Sequence, residues 1–99
     1  MLGYSKCADI RTLQRAVKVF GERNQEDVAI EEMSELIKAL IKHRRYNTKE
    51  TEDNVIEEMA DVYIMLIQLV IIHGFDGNIV EKKIERLKKR LESEVGNNV

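Results

Sequence analysis

Apolar side chains recur along this chain at three- and four-residue intervals, in four runs parted by short polar or glycine-bearing breaks. That spacing predicts helices and no strands. Ile10, Leu13, Val17 and Phe20 predict a first helix over about 9–21, with Asp9 as its N-cap and Gly21 to end it. Ile30, Met33, Ile37, Leu40 and Ile41 predict a second over about 25–45, that set forming its core stripe. Residues 46–51 are polar and break the periodicity, and a third helix follows over about 52–73, stopped by Gly74. The fourth, over 77–95, carries Val80, Ile84, Leu87, Leu91 and Val95 and ends at Gly96, and Asn78 and Glu81 are spaced like a capping box at its start. Residues 1–8 carry no clear pattern and read as a loose arm. No proline interrupts the helices.

The longest apolar run, Val62 to Ile72, is interrupted only by Gln68. It falls well short of the roughly 20 residues that cross a bilayer. It is apolar nearly all round, and a helix of that kind needs cover on several sides. Three companion helices from so short a chain cannot supply it. The expectation is therefore an all-α, four-helix bundle completed by homo-oligomerisation, most simply a two-fold dimer or a dimer of dimers.

At 99 residues there is room for one domain only. With 34% charged and 43% apolar residues the composition is that of a folded helical protein. A net charge of -2 offers no general attraction to nucleic-acid polymers or to an anionic membrane. The single cysteine, Cys7, cannot close an internal disulfide, so a reducing cytoplasm is expected. The first residues, mixed and polar by Asp9, do not read as a signal peptide.

Two acidic steps carry the candidate chemistry: Glu31-Glu32-Met33-Ser34-Glu35 and Glu57-Glu58-Met59-Ala60-Asp61. In each, carboxylates three residues apart share one helix face, about 4.5 Å apart in rise. Neither Glu32 nor Asp61 has a basic residue within helical reach. Like charges so placed repel by a few tenths of a kcal/mol per pair at a surface, and by more where water is scarce. A hard divalent cation with oxygen ligands removes that conflict, Mg²⁺ held by carboxylates while keeping waters for a phosphate being the usual case.

Cations are also sorted. In the fourth helix Lys83, Arg86 and Arg90 line one flank of the apolar stripe, and Glu81, Glu85 and Glu92 line the other. A basic flank beside a core is what an anionic ligand needs, so these three are candidate phosphate contacts. Lys42-His43-Arg44-Arg45 puts positive charge at the negative end of the second helix dipole and reads as a structural cap, as does His73 on the third helix.

Taken together, the E-E-x-x-E step at Glu31, Glu32 and Glu35 and the E-x-x-D step at Glu58 and Asp61 resemble the paired motif of MazG-like proteins, a branch of the all-α nucleoside triphosphate pyrophosphohydrolases. The lead-in Phe20-Gly21 with Gln25, and Lys83-Ile84-Glu85-Arg86 on the last helix, are similar to that family as well, so the resemblance spans about residues 10–91. It implies a MazG-like bundle that hydrolyses a nucleoside triphosphate to the monophosphate and pyrophosphate with Mg²⁺ or Mn²⁺. It further implies Glu32, Glu35, Glu58 and Asp61 as metal ligands, Glu31 as an accessory acid, and Lys83 and Arg86 as phosphate contacts. Glu81 stands where some relatives carry an asparagine.

Two other readings compete. A carboxylate di-iron bundle wants Glu-x-x-His steps, and neither His43 nor His73 follows an acid by three residues. A non-catalytic helical interaction module predicts decayed acidic steps, whereas all five acidic positions are present. No glycine-rich phosphate loop occurs, and neither Cys7 nor any serine has a histidine in a recognisable nucleophilic arrangement.

Overall fold

Helix boundaries fall where the chain offers caps. The computed structural model describes residues 9–97, which form α1 (Ile10–Phe20), α2 (Glu22–Tyr46), α3 (Lys49–His73) and α4 (Gly77–Asn97), with no strand among them. Residues 1–8, the expected arm, lie outside the described residues. Asp9 caps α1 as expected, its carboxylate accepting from the backbone N–H of Arg11 and Thr12 and from the Thr12 hydroxyl. Gly21 closes α1 at φ 93°, a conformation open essentially to glycine alone, and α2 starts at the very next residue. The second helix therefore begins three residues earlier than its apolar pattern suggests.

The third helix also begins early. Thr48 and Thr51 form a reciprocal capping box, each hydroxyl accepting from the other's backbone N–H, so the polar connection shrinks to Asn47 and Thr48. Asn47 adopts the left-handed conformation at φ 47° and its N–H donates to the His43 carbonyl. Gly74, at φ 92°, ends α3 as expected. At α4 the Asp76 side chain accepts from the Asn78 N–H at 2.9 Å, in keeping with the turn and cap expected over Asp76, Gly77 and Asn78. One expectation is corrected: Gly96 lies inside the helix instead of ending it.

The centre of the fold is the antiparallel α2–α3 hairpin, against which α1 packs with its buried Leu13 and Val17. Gln25, Ala29, Glu32, Leu36, Ala39 and His43 recur on α2 at alternating four- and three-residue steps, the spacing of a coiled-coil seam. Gln25 donates to Gln68 at 2.7 Å, and seven residues further along α2 Glu32 meets Asp61, seven residues back along α3. At the loop end His43 Nδ1 and Thr51 Oγ1 share a hydrogen bond at 2.7 Å. At the open end His73 meets Glu26 at 2.8 Å. Gln25 with Gln68 and His43 with Thr51 thus find partners across the seam, which fixes its register.

The stripe expected to be the core of α2 is not buried within one chain. Ile30, Ile37, Leu40 and Ile41 are exposed, as are Ile56, Met59, Leu66 and Val70 on α3, while Ala29 and Ala39 are the buried apolar residues of α2. The seam is held by the Gln25–Gln68 and His43–Thr51 pairs, leaving the larger apolar face free. Nor does α4 complete a bundle. Among the described residues it packs on none of the other helices, and its stripe is exposed from 40% at Val80 to 62% at Val95. A Cα radius of gyration of 17.1 Å, against about 13 Å for a compact domain of this length, reflects that open arrangement. Among the described residues no helix is long and apolar enough to cross a membrane.

Gln68→Leu strands the Gln25 amide in the seam and is expected to cost about 1–3 kcal/mol. The double variant Gln25→Leu/Gln68→Leu removes both polar groups and should recover most of that loss. Urea denaturation at one protein concentration measures both, and additive losses would contradict the seam described here.

Candidate metal centre

Three carboxylates converge at the middle of the hairpin. Glu32 from α2 and Glu58 and Asp61 from α3 each bring a carboxylate oxygen within 4.8 Å of the other two. The helices hold them there because Glu32 lies on the seam between Ala29 and Leu36, while Glu58 and Asp61 are one turn apart facing it. Glu58 Oε2 is buried and has no hydrogen-bond partner among the described residues. A buried acceptor of that kind ordinarily finds a donor or a cation.

Burial, reinforced by Asp61 and Glu58, holds the Glu32 carboxyl above the usual glutamate range. The contact with Asp61 adds to the same upward push on Glu32. Glu58 is likewise pushed up, by burial first and then by the charges of Asp61, Glu35 and Glu57. Among the described residues no cation contributes to either shift. The acids of the cluster thus raise one another's pKa values, and no cation among the described residues offsets them.

These residues fit a hard divalent ion. Octahedral Mg²⁺ at 2.0–2.1 Å sets its ligand oxygens about 3 Å apart when adjacent and about 4.2 Å when opposite. The carboxylate oxygens, within 4.8 Å of one another, have a span comparable with such a shell. An all-oxygen donor set selects magnesium, manganese or calcium over softer metals.

Of the expected ligands, the structure brings together Glu32, Glu58 and Asp61. Glu35 stands at the edge of the group, raising the pKa of Glu32 and Glu58 by its charge while pairing with Lys38 at 3.5 Å. Glu31 is exposed and outside the cluster. Lys83, Arg86 and Arg90 line a shallow groove of about 210 Å³ with Leu87 on α4, and within one chain they do not approach the carboxylates. Sequence reasoning missed the seam partners Gln25 and His43. Gln68, the single polar break in the apolar run, was the signal for the first.

The chain matches no family model, no curated protein and no solved structure.

A carboxyl whose pKa is raised in the folded state favours the folded state more as it protonates. The metal-free protein is therefore expected to gain stability as pH falls from about 7 towards the ordinary glutamate value of 4.5, through the raised range of Glu32 and Glu58. Asp9 acts oppositely but lower. Its carboxyl is held down, first by the Thr12 hydroxyl, so the stability it contributes is lost only below its ordinary value of 3.8. Thermal melts in chelator should show the gain, and Glu58→Gln should raise the melting temperature near neutrality and flatten the slope. Added Mg²⁺ should stabilise the wild type more than this variant. A melting temperature that drops steadily over that interval would exclude the strained cluster.

Proposed function

We propose that the protein is a metal-dependent nucleoside triphosphate pyrophosphohydrolase, adding water across the α–β anhydride of a standard, deoxy or modified nucleoside triphosphate to release the monophosphate and pyrophosphate. The observation that carries this is the convergence of Glu32, Glu58 and Asp61 from two helices around a buried, unpartnered Glu58 oxygen. The resemblance of the two acidic steps to the MazG-like motif supports it. A house-cleaning role in the cytoplasmic nucleotide pool follows from that class of reaction.

In this reading Glu32, Glu58 and Asp61 hold Mg²⁺ or Mn²⁺, with Glu35 joining from the edge. A bound divalent ion supplies charge neutralisation at phosphate oxygens and lowers the pKa of coordinated water. The chain's own part is to hold the acids in a half-buried seam, where charge is poorly screened and attraction for a dication is correspondingly strong. Raised pKa values make Glu32 and Glu58 protonated more readily, so ion binding displaces protons and strengthens as pH rises. Glu31, exposed one residue from Glu32, is the accessory acid that orients the attacking water or accepts its proton. Lys83, Arg86 and Arg90 hold the triphosphate and stabilise the pyrophosphate leaving group. In a homodimer or a dimer of dimers the exposed faces described above are covered.

With Mg²⁺ or Mn²⁺, the purified protein should release pyrophosphate from at least one member of a panel of standard, deoxy and modified nucleoside triphosphates. Glu58→Gln and Asp61→Asn should each abolish release while circular dichroism stays helical. A folded wild type silent across the whole panel would leave a non-catalytic helical module. Full activity in both variants would remove the proposed cage.

A further inference from the structure

One flank of α2 changes sign along its length. Glu31, Glu35, Lys38, Lys42 and Arg45 follow one another at alternating four- and three-residue steps, and Tyr46 stands four residues after Lys42, so all six share one helix face. By helix geometry that face lies on the opposite side of the seam from Ile37 and Leu40, and a partner covering the apolar stripe leaves it open. Lys38 joins the acidic and basic halves, reaching Glu35 at 3.5 Å with both side chains more than half exposed.

The basic half carries unspent charge. Lys42 and Arg45 form no ion pair among the described residues. With Lys38, Ile41 and Tyr46 they line an open groove of about 320 Å³. The Arg45 guanidinium lies 6.0 Å over the Tyr46 ring, and Tyr46 is 57% exposed, which leaves room for a second flat group. The helix dipole favours cations in the last turn only, so it accounts for Arg45 but not for Lys38, two turns earlier. Along α3 the same stretch is acidic, through Glu50, Glu52, Asp53 and Glu57, which keeps an anion on the α2 side. Successive cations suit phosphates, and an exposed ring at their end suits a nucleobase. From Glu35, at the edge of the carboxylates, to Tyr46 the helix rises about 16 Å. A triphosphate chain, three phosphorus atoms joined through two oxygens, is shorter than that. On α2 these cations follow the carboxylates directly, whereas Lys83, Arg86 and Arg90 do not approach them within one chain.

We infer that this row holds the far half of a dinucleoside polyphosphate whose near half lies at the carboxylate centre. The inference rests on the hydrolytic reading above and names a substrate class for it. Lys38, Lys42 and Arg45 carry the distal phosphates, and Tyr46 stacks the second base. Glu35, in joining the carboxylate centre, lets go of Lys38, and an exposed pair of that kind is weak enough to exchange. For a dinucleoside tetraphosphate, water adds to the α-phosphorus and the bond from that phosphorus to the bridging oxygen breaks. The products are a nucleoside monophosphate and a nucleoside triphosphate, one hydrogen of the water ending on each before they ionise. The row neutralises charge that develops on the triphosphate leaving group.

With Mg²⁺, symmetrical dinucleoside tetraphosphates are assayed beside the triphosphate panel, base by base, and the products are resolved by anion-exchange chromatography. For the best base the tetraphosphate should give monophosphate and triphosphate in equal early amounts, with kcat/KM about tenfold above that of the matching triphosphate. Lys42→Ala/Arg45→Ala and Tyr46→Ala should each cut that preference about tenfold, chiefly through KM, while circular dichroism stays helical. Tyr46→Phe should keep it. Triphosphate turnover with no preference for the tetraphosphate, or a preference untouched by either alanine variant, would overturn the inference and leave the pyrophosphohydrolase standing. Two diphosphates as products would overturn the placement of the scissile bond. Turnover of a tetraphosphate while every triphosphate stays silent would uphold this substrate class and overturn the pyrophosphohydrolase. Silence on both sets removes the two together.

Discussion

Everything in this molecule is arranged about like charges held together across a helix seam. Glu32, Glu58 and Asp61 are drawn into mutual reach by residues on either side of them, chiefly the Gln25–Gln68 bond towards one end and the His43–Thr51 bond towards the other. Those bonds set the register, and the register puts the acids opposite one another whether or not they repel. The repulsion appears as raised carboxyl pKa values and as a buried oxygen without a partner. A fold that spends seam positions on such groups gives up apolar packing it could have had, which is how functional sites commonly differ from cores.

The same choice explains the thinness of the interior. With seam positions given to Gln25, Glu32, His43, Thr51, Glu58 and Gln68, the buried apolar set among the described residues reduces to Leu13, Val17, Ala29, Ala39, Val55 and Met65. Larger aliphatic residues are turned outward on α2, α3 and α4. One surface of the α2–α3 hairpin is therefore apolar and exposed, and the more polar surface carries the carboxylate cluster.

Four helices, their order and most of their ends were legible in the sequence, because apolar periodicity, Asp9, Gly21 and Gly74 act locally. Thr48 with Thr51 was misjudged as loop, since a capping box built from two threonines lacks the usual acidic partner at its third position. Glu32, Glu58 and Asp61 were legible as a cluster because four- and three-residue spacing decides which side chains share a face. What spacing could not decide was which face of α2 meets α3. Hydrophobicity favoured Ile30, Ile37 and Ile41, yet polar groups that satisfy one another across the helices occupy the seam. Long-range complementarity of that kind is not a property of either helix alone.

Ala29 and Ala39, each almost wholly buried, flank Glu32 along the seam. The distance between packed helices depends on the side chains at their contact, and small ones permit the closest approach. The two methyl groups therefore act as the caliper of the centre. They set how near the carboxylate arms of opposite helices can come, and so how strongly those arms repel one another.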